Sequence, residues 1–152
     1  VEALRCYEGV KLQKKTEEVS ERTEEVQELN MEGTTSWVNE SFRTRIFPYS
    51  GEKILEKKYT KWFDCDKINC ELSVRTRRSG DYMIVNQSGG RKKLTRCMID
   101  DKIPGEIRQE IPLVAARDEI LWIVGGRISE RYKITSQTEK VLEITYQGGN
   151  LE

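Results

Sequence analysis

Alternation of apolar and polar residues, the two-residue period of a half-buried β-strand, recurs along this chain. The segments that show the alternation or a short apolar run are 4–12, 27–37, 42–46, 62–63, 72–77, 82–85, 113–115, 119–124 and 141–146. Residues with turn chemistry separate several of them, as at Ser50-Gly51, Ser79-Gly80-Asp81 and Gly125-Gly126. The highly charged segment 14–25 is predicted to be a loop, with a marginal helix as the alternative. The pattern therefore predicts a mostly β protein.

Two short helices interrupt this pattern late in the chain. Leu94, Cys97 and Met98 recur at helical spacing, which predicts a basic helix that begins near Arg91. Pro104 can begin a second helix, since its missing amide proton costs nothing there, and Pro112 must end it. We therefore expect an α+β fold, predominantly β, built as a β-rich sandwich with two short helices.

Composition narrows the class of protein. The chain has 152 residues, 36% hydrophobic and 34% charged, which is typical of one globular domain or two small lobes. The longest apolar run, Ile120 to Val124, is too short to cross a bilayer, so we expect a cytoplasmic protein without a membrane partner. The first residue is Val1 rather than Met, which indicates a piece of a longer protein.

Few residues carry the chemistry of a catalytic or metal site. The four cysteines (Cys6, Cys65, Cys70 and Cys97) occur without histidine and without C-x-x-C spacing, so we expect small buried side chains and no metal. The pairs Asp64-x-Asp66 and Asp100-Asp101 have basic neighbours, which favours salt bridges or helix caps over magnesium. No catalytic residue is assigned.

A glycine loop at Ser88-Gly89-Gly90 invites comparison with the S-G-G-x-D-S pyrophosphate loop of adenylating enzymes. The match fails, because Lys92 and Lys93 stand where that loop needs Asp and Ser. We therefore interpret this segment as a plain turn before the helix, and no cofactor is predicted for this chain.

Charge is distributed unevenly, although the chain as a whole is neutral. Residues 75–96 hold seven basic residues against Asp81 alone, a net charge of +6. The alternation places Arg75 and Arg77 together, opposite Leu72 and Val74. Such a surface could track the phosphates of a nucleic acid, or it could simply be a solvated face.

The stretch from Leu72 to Ile144 resembles the C-terminal domain of tRNA(Ile)-lysidine synthetases. The resemblance rests on a series of motifs: Val74-Arg75-Thr76-Arg77 with Gly80-Asp81, Arg91-Lys92-Lys93-Leu94, Ile99-Asp100-Asp101-Lys102-Ile103-Pro104, Arg108 with Ile111-Pro112-Leu113, Glu119-Ile120-Leu121-Trp122-Ile123, and Gly125-Gly126-Arg127-Ile128-Ser129. The chain departs from the family at Cys97-Met98, where aromatic residues are frequent, and at Gly126, where tyrosine is common. The second departure removes a possible stacking contact.

The resemblance implies an organisation and a partner. It implies a β-rich lobe at 1–66, the family domain at 67–147 and a tail at 148–152, with a fold similar to phenylalanyl-tRNA synthetase β-subunit domains. The parent ligase would use ATP and magnesium in an N-terminal catalytic domain outside this chain, and join lysine to the wobble cytidine of tRNA(Ile). This region would recognise the tRNA, including its acceptor stem, and do no chemistry alone. The alternative is a module that docks on its own catalytic domain.

The candidate RNA-binding residues follow from the charge pattern and the resemblance together. The first rank is Arg75, Arg77, Arg78, Arg91, Lys92, Lys93 and Arg96, and the second rank is Arg108, Arg127 and Arg131. Asp100 with Lys102 is expected to brace the basic helix. The predicted core contains Leu94, Met98, Ile103, Leu121, Trp122 and Ile123.

Overall fold

Two β-sheets form the frame of the protein in a computed structural model that describes residues 26–54 and 57–147. The six-stranded sheet has the spatial order β1 (Gln27–Glu28), β5 (Ser73–Arg75), β8 (Leu113–Ala116), β9 (Glu119–Ile123), β6 (Tyr82–Ile84) and β7 (Arg91–Lys93). The four-stranded sheet has the order β2 (Gly33–Trp37), β3 (Glu40–Pro48), β10 (Lys140–Gln147) and β4 (Thr60–Asp64). The predicted strand at 4–12, the predicted loop at 14–25 and the tail lie outside the described residues.

The larger hydrophobic core lies between the two sheets. It contains side chains from one face of each sheet, including Phe42, Phe63, Val114 and Leu142, all fully buried. Because strand side chains alternate, every second residue of β3 and β8 points into this core. The β-rich sandwich predicted from the sequence is confirmed.

A second core covers the opposite face of the six-stranded sheet. The helix α1 (Leu94–Asp100) buries Leu94, Cys97 and Met98 against Met83 of β6 and neighbouring residues of β8 and β9. The molecule is therefore layered as four-stranded sheet, six-stranded sheet and helix. Five of the six predicted core residues are buried; Ile103 is partly buried and packs on this second core.

Two helix predictions need correction. Helix α1 begins at Leu94, because Arg91–Lys93 pairs antiparallel with Tyr82–Ile84 as a strand. The segment after Pro104 forms only a 3-10 turn, Gly105–Ile107. In the first case the ladder to β6 overrides the helix propensity of arginine and lysine.

Strand β10 completes the four-stranded sheet from a distant part of the sequence. It lies between β3 and β4 and pairs antiparallel with both. Residues on both sides of the expected boundary at residue 66 thus share one sheet. The boundary itself stays a prediction.

Among residues 26–54 and 57–147, the helical segments are too short and too polar to span a lipid bilayer.

Candidate nucleic-acid interface

Arg75 is buried rather than exposed. Its guanidinium is 2% exposed and donates to both carboxylate oxygens of Asp81, each at 2.9 Å. It also donates to the carbonyl oxygens of Thr76 and Arg117. The expectation that Arg75 and Arg77 share an outer basic face is therefore wrong for Arg75. The face opposite Leu72 and Val74 is covered at this point, and Arg75 is not available to a phosphate.

The Arg75–Asp81 pair shapes the loop that carries Arg77 and Arg78. Asp81 also accepts the backbone N–H of Arg78 at 2.7 Å, which closes a tight turn. The backbone N–H of Leu94 donates to the carbonyl of Asp81, so this loop lies against the end of β7 and its Lys93. Arg78 and Lys93 are exposed and Arg77 is half-buried. We call Arg77, Arg78 and Lys93 the basic corner.

Strand β7 divides the remaining basic residues between its two faces. Lys92 lies opposite Met83, on the face that α1 covers. Arg91 and Lys93 lie opposite Ile84 and Tyr82, on the other face. The Arg91 guanidinium stacks on the Tyr82 ring, 4.2 Å from its centroid. The prediction of one helix surface with Lys92, Lys93 and Arg96 is therefore wrong for the two lysines.

A cluster of opposite charges occupies the helix side. The Asp100 carboxylate lies 2.5 Å from Nζ of Lys92 and 3.4 Å from Nε of Arg96. The hydrogen bond from Lys92 holds the pKa of the Asp100 carboxyl below its usual range. The predicted brace between Asp100 and Lys102 is therefore wrong, because Asp100 pairs with Lys92 and Arg96 instead. Lys102 instead adopts a left-handed backbone with φ of 61° at the end of α1.

The second-rank arginines each have an intramolecular partner. Arg108 donates to the carbonyl of Ile103, Arg131 pairs with Glu119 at 3.2 Å, and Arg127 forms a bidentate pair with Asp101. The Asp101 hydrogen bond raises the pKa of Arg127. Arg108 is half-buried and acts as an internal tie, whereas Arg127 and Arg131 reach a groove described next.

An elongated depression runs between the β6–β7 hairpin, the four-stranded sheet and segment 126–135. It consists of two adjoining hollows of about 420 and 650 Å³ that share Ile84, Glu130, Lys133 and Ile134. We call it the intersheet groove. The sequence-predicted residues that line it are Arg91, Arg127 and Arg131, and the basic residues that sequence reasoning missed are Lys61, Lys67 and Lys133.

The sequence does not show that the missed lysines belong to one site. Lys61 follows Lys57 and Lys58, and Lys133 follows Arg131, but these segments and Lys67 are far apart along the chain. The pairing of β4 with β10 and the return of the chain past residue 126 bring them together. Gly126 lines the same groove and adds no side chain to its wall.

The Ser88-Gly89-Gly90 loop is tied to Asn86. The Asn86 side-chain oxygen accepts the backbone N–H groups of Ser88 and Gly90 and the Ser88 hydroxyl. These donors are thus engaged within the turn. The predicted plain turn is confirmed, although it leads into strand β7 before the helix.

The structure also shows the surroundings of the Asp64-x-Asp66 pair and of three cysteines. Asp64 caps the 3-10 turn Cys65–Lys67 and accepts the Thr138 hydroxyl at 3.0 Å. Cys97 is fully buried as predicted, and burial raises the pKa of its thiol, whereas Cys65 and Cys70 are only partly buried. Cys6 lies outside the described residues, and among those described no group of three or more His, Cys, Asp or Glu could hold a metal ion.

Comparison with known proteins gives a consistent result. Residues 72–144 match the family described as TilS substrate C-terminal domain. A tRNA(Ile)-lysidine synthase of Caldanaerobacter subterraneus subsp. tengcongensis is 37% identical over 96% of this chain and 31% of that protein. One from Clostridium perfringens is 44% identical over 64% of this chain and 21% of that protein. The chain thus spans less than a third of these curated relatives.

A solved structure extends the similarity to the fold. The crystal structure of a TILS C-terminal domain matches with a TM-score of 0.67 at 27% identity. The match covers 83% of this chain and 98% of the other.

Proposed function

The chain belongs to the family of C-terminal domains of tRNA(Ile)-lysidine synthases, and from this premise we propose that it holds an isoleucine tRNA for a ligase of which it is part. The reaction itself, which joins lysine to the wobble cytidine with ATP and magnesium, takes place in a catalytic domain outside these residues. This region binds the acceptor stem in the cytoplasm, and it contributes affinity and selection rather than chemistry.

The basic corner carries this proposal. Within the described residues, none of its three side chains forms an ion pair, unlike the arginines and lysines around α1 and segment 126–133. A phosphate group can therefore approach Arg77, Arg78 or Lys93 without first breaking an internal pair. Each such contact releases counterions and adds affinity that does not depend on sequence.

The buried Arg75–Asp81 pair fixes the backbone of the loop that carries Arg77 and Arg78 of the basic corner. It holds the turn from Arg78 to Asp81, while the Leu94–Asp81 hydrogen bond keeps that turn against β7. The three cations are thus presented on ordered backbone. An A-form stem hides its major-groove base edges, so a rigid basic surface can select it by shape through phosphates and 2′-hydroxyls.

Salt-dependent binding of isoleucine tRNA tests the proposal. The double variant Arg78→Gln/Lys93→Gln removes two cations of the corner. Its matched control is Arg43→Gln/Lys140→Gln, which removes one exposed arginine and one exposed lysine, also without ion pairs among the described residues. We expect the first variant to lower the slope of log affinity against log salt concentration by about 1.5–2, and the control to leave it unchanged.

An equal loss of affinity in the two double variants would contradict the proposal, because it would show a general charge effect. Wild-type affinity retained by Arg78→Gln/Lys93→Gln would contradict it as well. That second result would favour the docking alternative, in which the same corner meets the acidic surface of a catalytic domain.

A further inference from the structure

The intersheet groove has a different character from the basic corner. Part of its wall is aliphatic, formed by Ile84, Val85, Ile128 and Ile134, and the rest is polar or charged. Each of its two hollows falls within the roughly 300–1,000 Å³ of small-molecule sites. An RNA duplex presents phosphates and 2′-hydroxyls on its surface but stacks its base faces internally. An unpaired nucleotide, by contrast, exposes an apolar base face that such a wall can cover.

Basic side chains follow the groove along its length. They are Lys61, Lys67, Arg91, Arg127, Arg131 and Lys133, against Glu130 as the carboxylate of the described lining. Some are already neutralised, since Lys133 pairs with Glu130, Arg127 with Asp101 and Arg131 with Glu119. Lys61 and Arg91 form no ion pair within the described part of the chain. The groove thus combines an apolar wall with a positive rim, which complements a nucleotide strand.

Arg91 supplies a flat surface inside this rim. Its side chain is exposed, and stacking on Tyr82 at 4.2 Å orients the guanidinium plane. Unpaired bases stack well on arginine planes and on aromatic rings in RNA-binding proteins. Because the Tyr82 ring already orders the arginine, less conformational entropy is lost when a base stacks on it.

The groove is continuous with the basic corner. Arg91 and Lys93 lie on the same face of β7, two residues and so about 7 Å apart along the strand. A strand that leaves a duplex held at the corner reaches Arg91 directly. Paired RNA would therefore lie at the basic corner, and the unpaired strand that follows it would lie in the adjoining intersheet groove.

We propose that the intersheet groove binds the unpaired 3′ extension of the RNA whose stem contacts the basic corner, with Arg91 on Tyr82 as the stacking platform. The inference rests on the proposed function, since it takes the duplex at the corner as given. It adds a second ligand element, single-stranded RNA, and assigns it to residues outside the corner.

Two RNA stem-loops of identical stem test this inference, one with a blunt end and one with a short unpaired 3′ extension. We expect the chain to bind the extended stem-loop about tenfold more tightly. Arg91→Lys keeps the charge and removes the planar group, so it should abolish most of this advantage and leave blunt-stem affinity unchanged. Arg43→Lys, an equivalent change at an exposed arginine elsewhere, should preserve the advantage.

A photoreactive thiouridine at the 3′ terminus gives an independent readout. We expect crosslinks to residues 84–91 and 130–135, which line the groove.

The outcomes separate the two proposals. Equal affinity for both stem-loops, or an unchanged advantage in Arg91→Lys, overturns the groove inference while the proposed function stands. Failure of the chain to bind either stem-loop overturns both. Crosslinks confined to the helix α1 side would also contradict the groove assignment.

Discussion

The guanidinium of Arg75 and the carboxylate of Asp81 form a bidentate pair inside the protein, with two N–O distances of 2.9 Å and side chains 2% and 1% exposed. The pair joins the end of β5 to the start of β6, and through the Arg117 carbonyl it also holds the turn between β8 and β9. The pair has a structural role, because it fixes the position of the loop between β5 and β6.

Replacement of Arg75 by Met should therefore destabilise the protein strongly. The change leaves the Asp81 carboxylate buried without its cation, which costs about 3–5 kcal/mol of unfolding free energy. Urea denaturation followed by tryptophan fluorescence measures the loss. Arg78→Met removes an exposed arginine side chain from the same loop and leaves the backbone hydrogen bond to Asp81 in place, so this control should change stability by less than about 0.5 kcal/mol.

Asp100 provides a test of the helix side. Asp100→Asn removes the carboxylate that Lys92 and Arg96 share, so both cations become available to RNA phosphates. If RNA reaches this side, affinity for isoleucine tRNA should rise and the salt slope should steepen by about 1–2. Filter binding over a salt series measures both. An unchanged slope would restrict the RNA-contacting surface to the other face of β7.

Val38 is strained and offers a stabilising substitution. It is the first of two residues between β2 and β3, with φ of 56°, a backbone region that β-branched side chains rarely adopt. Val38→Gly should raise the unfolding free energy by about 1 kcal/mol, since Val38 is 42% exposed and little burial is lost. Asn39→Gly, at a position without positive φ, should give no gain, and equal urea midpoints for the two variants would contradict the strain.

Tyr132 should make the protein sensitive to alkaline pH. Burial, with the nearby Glu119 carboxylate, raises the pKa of Tyr132 to about 12, whereas in the unfolded chain tyrosine ionises near pH 10. Between these values the folded state binds more protons, so the unfolding free energy is undiminished below pH 10 and falls as pH rises toward about 12. Urea midpoints over this range should fall less for Tyr132→Phe, in which lysine titration is unchanged. Parallel pH profiles would refute the assignment.

The strands were predictable because their cores impose a two-residue period. Val114 and Ala116 face one core and Leu113 and Ala115 the other, so β8 reads as a continuous apolar run. The same period placed Arg75 correctly opposite Val74. It could not show that this opposite face is also covered, because the partner, Asp81, follows a turn whose path depends on the whole sheet.

The candidate site was predictable only where its residues are close in sequence. The concentration of charge in 75–96 led to Arg78, Arg91 and Lys93, which remain exposed. It could not assign Arg91–Lys93 to a strand, since that depends on the ladder with β6. Lys61 and Lys133 reach the groove through tertiary structure alone.

The central position of β10 in the four-stranded sheet has a consequence for biosynthesis. The backbones of β3 and β4 pair with β10 and not with each other, and Leu142, for example, lies between Ile46 and Phe63. During translation, the edges of β3 and β4 that pair with β10 stay unpaired until residues 140–147 have left the ribosome. Unpaired strand edges can pair with other chains in the meantime. Such late closure of distant segments slows folding. The nascent chain is therefore most exposed to aggregation, and most dependent on chaperones, just before β10 becomes available for pairing.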